Sequence, residues 1–185
     1  MAAARERRSA ASMSELFLLR HAQAAAQRAQ GDRDRPLVPM GRRDAQTMAA
    51  WIAERRLAPE LVLCSTALRA RQTLEIIAPG FAQPPRIESE DAIYLAGAAQ
   101  LLARLNALPA ELGSVMVIGH NPGFHELASI LAESSAGPLA ARLGNGFPTA
   151  ALARFEVLVD WAGLAARRAR LVGFVAPQDL ARGVL

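Results

Sequence analysis

Three short, uninterrupted apolar runs stand out along the chain, at residues 16–19, 61–64 and 115–118. A continuous apolar run of this length is typical of a strand that is buried on both faces of a parallel sheet. The pattern therefore predicts three buried strands, which are separated by segments long enough to hold helices.

Helical periodicity fills the segments between these runs. Residues 41–57, 67–78 and 98–108 predict three helices, and a shorter strand is expected at 86–88. After the third run, Asn121 is placed to cap a helix that has Pro122 as its first residue. The apolar residues that predict the buried faces of the first, third and fourth helices are Ala45, Met48, Ala49, Ile52, Leu101, Leu105, Leu108, Phe124, Leu127, Ala128 and Leu131.

The pattern changes toward the end of the chain. Residues 153–159 alternate between apolar and polar positions, which predicts a half-buried strand. Residues 160–163 then predict a turn, and residues 170–175 a returning strand. Together these elements indicate an α/β fold of three layers, with a mixed, mostly parallel sheet and helices on both faces.

Composition narrows the class of protein. A chain of 185 residues that is 52% hydrophobic is expected to form one domain, here residues 14–185. The basic residues 1–13 are expected to be a disordered tail, with translation from Met13 as an alternative. No apolar stretch approaches the roughly 20 residues of a membrane span, and none forms a signal-peptide core.

Charge and cysteine content narrow the class of protein further. The formal net charge is +4, and much of the excess lies in the tail, so neither a nucleic-acid nor a membrane partner is predicted. The chain has no lysine, which excludes a phosphate-loop lysine and a Schiff-base lysine. The single Cys64 cannot form an internal disulfide and favours a reducing, cytoplasmic location.

Basic side chains follow each of the three buried strands. Arg20 and His21 follow the first, Arg69 follows the second, and His120 follows the third. Because the carboxyl ends of parallel strands meet at one edge of a sheet, these four side chains are expected to lie together. Arg69 also falls in the first turn of a helix, where the helix terminus favours an anion. Two guanidinium and two imidazole groups suit a phosphoryl group.

Each of these residues also has an ordinary structural interpretation. An Arg-His pair is common by chance, Arg69 alone fits an exposed helical arginine, and His120 alone fits a structural residue before a capped helix. A metal site formed by His120 and His125 is a sharper alternative. The spacing argues against it, because helical metal pairs stand four residues apart and no further ligands complete a shell, so no metal is predicted.

Several motifs resemble one known family. Residues 18–22 resemble the Arg-His-Gly motif of the histidine phosphatase superfamily, with Ala22 in place of the glycine, and residues 119–123 resemble its second histidine motif. Residues 34–45, 65–73, 94–97 and 147–150 resemble, more narrowly, the SixA-like phosphohistidine phosphatases. The resemblance runs in order from Ser14 to Phe174.

The resemblance implies a phosphoglycerate mutase-like fold and a covalent phosphohistidine mechanism without metal or cofactor. His21 would be the nucleophile, and Arg20, Arg69 and His120 would hold the phosphoryl oxygens. The implied substrate is a protein that carries phosphohistidine. The alternatives are a phosphatase of small phosphomonoesters from the same superfamily and a non-catalytic phosphate-binding domain.

The acid that protonates the leaving group is left open by the sequence. Asp32 is the first candidate, followed by Asp34, with Glu90 and Asp91 as weaker ones; each also fits a solvated loop carboxylate. Because the chain has no long insertion to cover the site, a shallow pocket is expected, which suits a phosphate presented on another protein. The sequence does not indicate the oligomeric state.

Overall fold

The computed structural model describes residues 13–26 and 31–181. The predicted tail therefore lies outside the described residues, except for Met13. The strands are β1 (Ser14–Arg20), β2 (Leu61–Ser65), β3 (Arg86–Glu90), β4 (Ser114–Gly119), β5 (Leu152–Val157) and β6 (Ala169–Val175). The helices are α1 (Pro39–Glu54), α2 (Leu68–Ile77), α3 (Ala98–Asn106), α4 (Gly123–Leu131), α5 (Pro138–Gly144) and α6 (Pro177–Ala181).

The strands form one mixed sheet in the order β3-β2-β4-β1-β5-β6. The first four strands run parallel, whereas β5 and β6 are antiparallel to their neighbours. The three predicted apolar strands are the adjacent strands β2, β4 and β1 at the centre. The predicted α/β class with a mixed, mostly parallel sheet is confirmed.

Two apolar clusters cover the two faces of the sheet and make three layers. Alternate residues of the central strands serve opposite clusters, because successive side chains of a strand point to opposite faces. Leu16, Leu63 and Val117 pack with α3 and α4 on one face. Phe17, Val62 and Met116 pack with α1 and α2 on the other. This double burial explains why these strands are continuously apolar.

Helix boundaries differ from prediction where local backbone chemistry decides them. Helix α1 begins at Pro39 rather than at residue 41, because proline at the first position suits a helix start. It ends before Arg56, whose φ is 53°. The capping role expected of Asn121 is wrong: α4 begins at Gly123 without a side-chain cap, and the Asn121 amide instead donates to the Phe147 carbonyl.

Helices α5 and α6 are not predicted by the sequence pattern. They span only 7 and 5 residues, too few to show an apolar period. Among the described residues, no helix is both long and apolar enough to cross a membrane.

Candidate active site

Strand register places the predicted side chains in one row. Arg20 on β1 pairs with Gly119 on β4, and Cys64 on β2 pairs with Ile118 on β4. The next residues, His21 and His120, therefore leave the sheet at the same edge. The backbone N–H of His21 donates to the Gly119 carbonyl at 3.0 Å, which fixes the position of His21 just beyond the strand.

The protonation state of His21 follows from its two neighbours. Its Nε2 lies 3.2 Å from Nε of Arg69, and its Nδ1 lies 2.7 Å from the carbonyl oxygen of Ala22. Arginine can only donate, so Nε2 accepts with its lone pair and Nδ1 carries the proton. Burial lowers the pKa of His21 to about 4; the bond to Ala22 opposes this shift, and Arg69 and Arg20 add to it. His21 is thus neutral at pH 7, with its lone pair on Nε2.

His120 lies beside His21, with 5.0 Å between the ring centroids. Its Nδ1 lies 3.3 Å from Nη2 of Arg69 and therefore accepts, so its Nε2–H donates to Oγ of Ser65 at 2.7 Å. Burial is the main cause that lowers the pKa of His120 to about 3; repulsion from His21 when that ring is protonated, and from Arg69, adds to it. A neutral His120 can donate from Nδ1 only after protonation, which a bound phosphoryl dianion would favour.

Arg69 contacts both histidines and Asp32. It is only 2% exposed and lies in the first turn of α2, as predicted. Besides its bonds to both histidines, its Nη1 donates to the backbone carbonyl of Asp32 at 2.6 Å, and its Nη2 donates to Oδ2 of Asp32 at 2.8 Å. Arg71, two positions further on, is exposed. The helix therefore turns one arginine into the site and the other away from it.

Arg20 supplies the second guanidinium group. Its Nη1 donates to the Phe147 carbonyl at 2.7 Å, which anchors the side chain at the end of β1. Its Nε is buried and has no hydrogen-bond partner within the part of the chain that the structure describes. Burial lowers the pKa of Arg20, but an arginine retains its charge in proteins. A half-buried cation with an unused N–H group is suited to a phosphoryl oxygen.

Asp32 is the candidate acid that reaches the site. Its Oδ1 accepts from Arg35 at 2.5 Å, and its Oδ2 accepts from both Arg69 and the Tyr94 hydroxyl at 2.8 Å. Partial burial raises the pKa of this carboxyl, but the hydrogen bonds from Tyr94, Arg35 and Arg69 outweigh burial and hold the pKa well below its usual range. In this arrangement Asp32 is an ionised acceptor.

The other candidate acids are held elsewhere. Asp34 is exposed. Glu90 forms an ion pair with Arg104, and Asp91 accepts from Arg33 and from the Thr66 hydroxyl. Of the four carboxylates, Asp32 is the one with a contact to Arg69.

Four further residues of the site environment lie in the motifs of residues 34–45, 65–73 and 94–97, but the sequence pattern assigns them no role. Ser65 bonds His120, and Tyr94 bonds Asp32 and presents its ring edge to His120 at 5.6 Å. Thr73 accepts from the backbone N–H of Ala22, and Arg35 fixes Asp32. Ser65 ends β2 beside β4, and this position could have indicated it.

The expectation of a shallow, uncovered site needs correction. His21, Arg69 and His120 are 8%, 2% and 2% exposed, and Arg20 is half-buried, so the predicted nucleophile and two of the three predicted phosphate-binding groups lie beneath the surface. Asp32 and Tyr94 contribute to this cover through their contacts with Arg69 and His120. Short loops therefore do not leave the site open, because one loop carboxylate lies directly on the central arginine.

The described residues contain no arrangement of side chains suited to a metal ion. No group of three or more His, Cys, Asp or Glu side chains in the described residues is placed to hold a metal ion. His125 is half-buried and its Nε2 lies 2.9 Å from the Leu143 carbonyl. It makes no pair with His120.

Comparison with known proteins identifies the family. Residues 16–91 match the model of the histidine phosphatase superfamily, branch 1. The phosphohistidine phosphatase SixA of Escherichia coli is 33% identical over 80% of this chain and 88% of its own length. The chain belongs to the histidine phosphatase superfamily, as the motifs of residues 18–22 and 119–123 predict, and to its SixA-like branch, as the motifs of residues 34–45, 65–73, 94–97 and 147–150 predict.

Solved structures agree with this placement. A protein from Nakamurella multipartitia, provisionally named SixA, has a TM-score of 0.77 at 31% identity, with 89% of this chain and 96% of that chain covered. The protein histidine phosphatase SixA in complex with tungstate has a TM-score of 0.73 at 29% identity, with 90% and 99% covered.

Proposed function

We propose that this protein is a hydrolase that removes the phosphoryl group from phosphohistidine on another protein. The observation that carries the proposal is the state of His21: its Nε2 is unprotonated at neutral pH, accepts a hydrogen bond from Arg69 and lies near Arg20 and His120. The relatives named phosphohistidine phosphatase support the class of substrate.

The nucleophile in this proposal is Nε2 of His21. It forms a bond to phosphorus while the P–N bond of the substrate breaks, and the electron pair of that bond leaves with the substrate imidazole. Water then attacks the phosphorus of phosphorylated His21, which releases inorganic phosphate and restores the neutral imidazole. The Nδ1–H bond to Ala22 holds the ring with Nε2 facing the site through both steps.

Arg20, Arg69 and His120 would hold the three equatorial oxygens, where charge must be stabilised during transfer. Arg20 offers its unpartnered Nε. Arg69 offers the terminal nitrogens Nη1 and Nη2, which contact Asp32 in the free enzyme. His120 would take a proton as the dianion binds and would then donate from Nδ1. Ser65 keeps the other face of that ring fixed.

The leaving group favours phosphohistidine over ordinary phosphoesters. Asp32 is ionised in this arrangement and has no proton to give. When solvent has protonated the second ring nitrogen of the substrate phosphohistidine, the leaving group is a neutral imidazole, which is far less basic than an alkoxide and needs no proton from Asp32. Asp32 stays the candidate acid for the case in which a bound phosphoryl group displaces it from Arg69.

Location and domain organisation follow as further parts of the proposal. Residues 14–185 form one catalytic domain that works in a reducing compartment such as the cytoplasm. The single Cys64 is buried, and burial raises the pKa of its thiol to about 12, so it is a poor target for oxidation. Cell fractionation would test the location.

A direct assay tests the activity. The purified protein is incubated with a carrier protein phosphorylated on histidine, and loss of the phosphoryl group is followed together with release of inorganic phosphate. We expect turnover with the wild-type protein and none with His21→Ala, whose fold is checked by circular dichroism. No dephosphorylation by wild type, or substantial turnover by a folded His21→Ala, would refute the proposal.

A further inference from the structure

We propose that Asp32 is a latch: it occupies Arg69 in the free enzyme, and a phosphoryl group must displace it before Arg69 can bind that group. The inference deepens the proposed function and rests on it, because it takes Arg69 to be a phosphate ligand. It assigns Asp32 a positioning role that is separate from proton donation.

The contacts of Arg69 carry the first step. Nη1 and Nη2 both point at Asp32, one at its carbonyl oxygen at 2.6 Å and one at Oδ2 at 2.8 Å. Nε donates to His21. With the contact from Nη2 to Nδ1 of His120 at 3.3 Å, these bonds engage four of the five N–H groups of the guanidinium. An incoming anion can therefore gain a bidentate contact with Arg69 only by replacing a partner, and Asp32 is the partner that holds both Nη1 and Nη2. An ionised Asp32 left in contact with that anion would also repel it.

The second step is that Asp32 can leave Arg69 without losing all its partners. Tyr94 donates to Oδ2 at 2.8 Å and Arg35 donates to Oδ1 at 2.5 Å. Arg35 is itself anchored, because its Nε donates to the Ala25 carbonyl at 2.6 Å. The carboxylate therefore exchanges one ion pair and is not stranded as an unpaired charge, which would be costly.

The latch has a consequence for selectivity. Free inorganic phosphate must displace Asp32 using only its own oxygens, whereas a phosphorylated protein also contacts the surface around the site. Asp32 therefore lowers the affinity for the free anion and promotes release of the product. The same device would reduce inhibition by phosphate at cellular concentrations.

Equilibrium binding of inorganic phosphate tests this directly. Titration calorimetry is performed at pH 7 on wild type, Asp32→Asn and Asp32→Ala, with each fold checked by thermal melting. Because both variants remove the competing charge, we expect each to bind phosphate about tenfold more tightly. The alanine variant excludes a new hydrogen bond from the asparagine amide as the cause. Unchanged or weaker binding in both variants would overturn the latch.

Asp91→Asn is the matched control. Asp91 is another loop carboxylate, but it accepts from Arg33 and Thr66 instead of Arg69. Asp91→Asn removes one negative charge, as Asp32→Asn does, but at a position that does not contact Arg69. Because physiological salt screens exposed charges, we expect the affinity for phosphate to change by less than about twofold. Equal tightening by Asp91→Asn would attribute the effect to net charge and refute the latch. Since binding is measured without turnover, a protein inactive on phosphohistidine could still show the latch, and the two proposals fail separately.

Discussion

At the scale of single residues, the site is organised around Arg69. Its guanidinium contacts His21, His120 and Asp32 and is almost fully buried. A buried cation with this many partners orients the nucleophile in the free enzyme and is placed to bind charge during transfer. Its removal should therefore affect catalysis far more than removal of a surface arginine.

Arg69→Ala tests this role against Arg71→Ala. We expect Arg69→Ala to lower kcat/KM by the equivalent of ~2–4 kcal/mol, the range for removal of a contact to a developing oxyanion. Arg71 lies two positions on in the same helix but is exposed, so its variant should keep nearly full activity. Steady-state kinetics on phosphohistidine protein measures both. A decrease in kcat/KM of less than about tenfold for a folded Arg69→Ala would contradict a direct role of Arg69 in binding the phosphoryl group.

The pH profile depends on the protonation of His21. Its pKa is lowered to about 4 from 6.5, so the nucleophile stays neutral well below pH 6.5. We expect kcat/KM to fall only as the pH drops through about 4; a fall that already begins near 6.5, or a rate that keeps rising below about 4, would contradict this.

Stability must be followed in the same experiment. The unfolded chain, with ordinary histidine pKa values near 6.5, binds more protons than the folded protein between that pH and the folded values of about 4 and 3. Stability should therefore fall as the pH drops below 6.5. Thermal melting at each pH separates loss of the nucleophile from loss of the fold.

At the scale of elements, the site depends on how α2 is attached to the end of β1. The Thr73 hydroxyl on α2 accepts from the backbone N–H of Ala22 at 3.0 Å and donates to the Arg69 carbonyl at 2.7 Å. One buried side chain therefore links the segment that carries His21 to the turn that carries Arg69.

Thr73→Val keeps the shape of that side chain and removes the link. We expect a loss of about 1–3 kcal/mol of unfolding free energy, because the buried Ala22 N–H loses its acceptor. Activity should also fall through displacement of His21. Thr47→Val is the control, since the Thr47 hydroxyl makes the same kind of bond to the carbonyl four residues earlier but is exposed. Denaturant unfolding measures both variants, and equal losses would contradict a specific role for Thr73.

The same elements show what the sequence can predict. Buried parallel strands can be predicted from the sequence because both of their faces require apolar residues. The register of the strands then brings His21 and His120 together. The role of Asp32 cannot be predicted from the sequence, because its partners Tyr94 and Arg69 lie 62 and 37 residues away along the chain. The prediction that Asn121 caps a helix fails for a similar reason, because its amide donates to the distant carbonyl of Phe147 and not to the following helix.

At the scale of the whole molecule, the chemistry is expected to need no divalent metal. The titratable groups at the site are two histidines and one carboxylate, and the carboxylate is bound by Arg35, Arg69 and Tyr94. Within the described ranges, 13–26 and 31–181, no set of three potential ligands is placed for a metal ion. Activity on phosphohistidine protein should survive dialysis against EDTA. An activity that returns only with added Zn²⁺ or Mg²⁺ would contradict the mechanism.

The expected substrate preference depends on the leaving group and on the ionised state of Asp32. The P–N bond of phosphohistidine can break without a strong acid, whereas an alkyl phosphate needs a proton for its alkoxide, and Asp32 is ionised in the free enzyme. We therefore expect phosphohistidine protein to turn over much faster than phosphoserine or sugar phosphates.

Asp32→Asn sharpens this comparison. If Asp32 gains a proton after a phosphoryl group displaces it from Arg69, the variant should slow residual ester hydrolysis more than phosphohistidine hydrolysis. Side-by-side kcat/KM values for one phosphohistidine protein and one alkyl phosphate, with wild type and Asp32→Asn, test both points. Equal rates on the two substrates would favour a small-molecule phosphatase, and equal slowing of both by Asp32→Asn would assign Asp32 no role as an acid. A faster phosphohistidine reaction in the variant would mean that release of the latch outweighs any proton that Asp32 supplies.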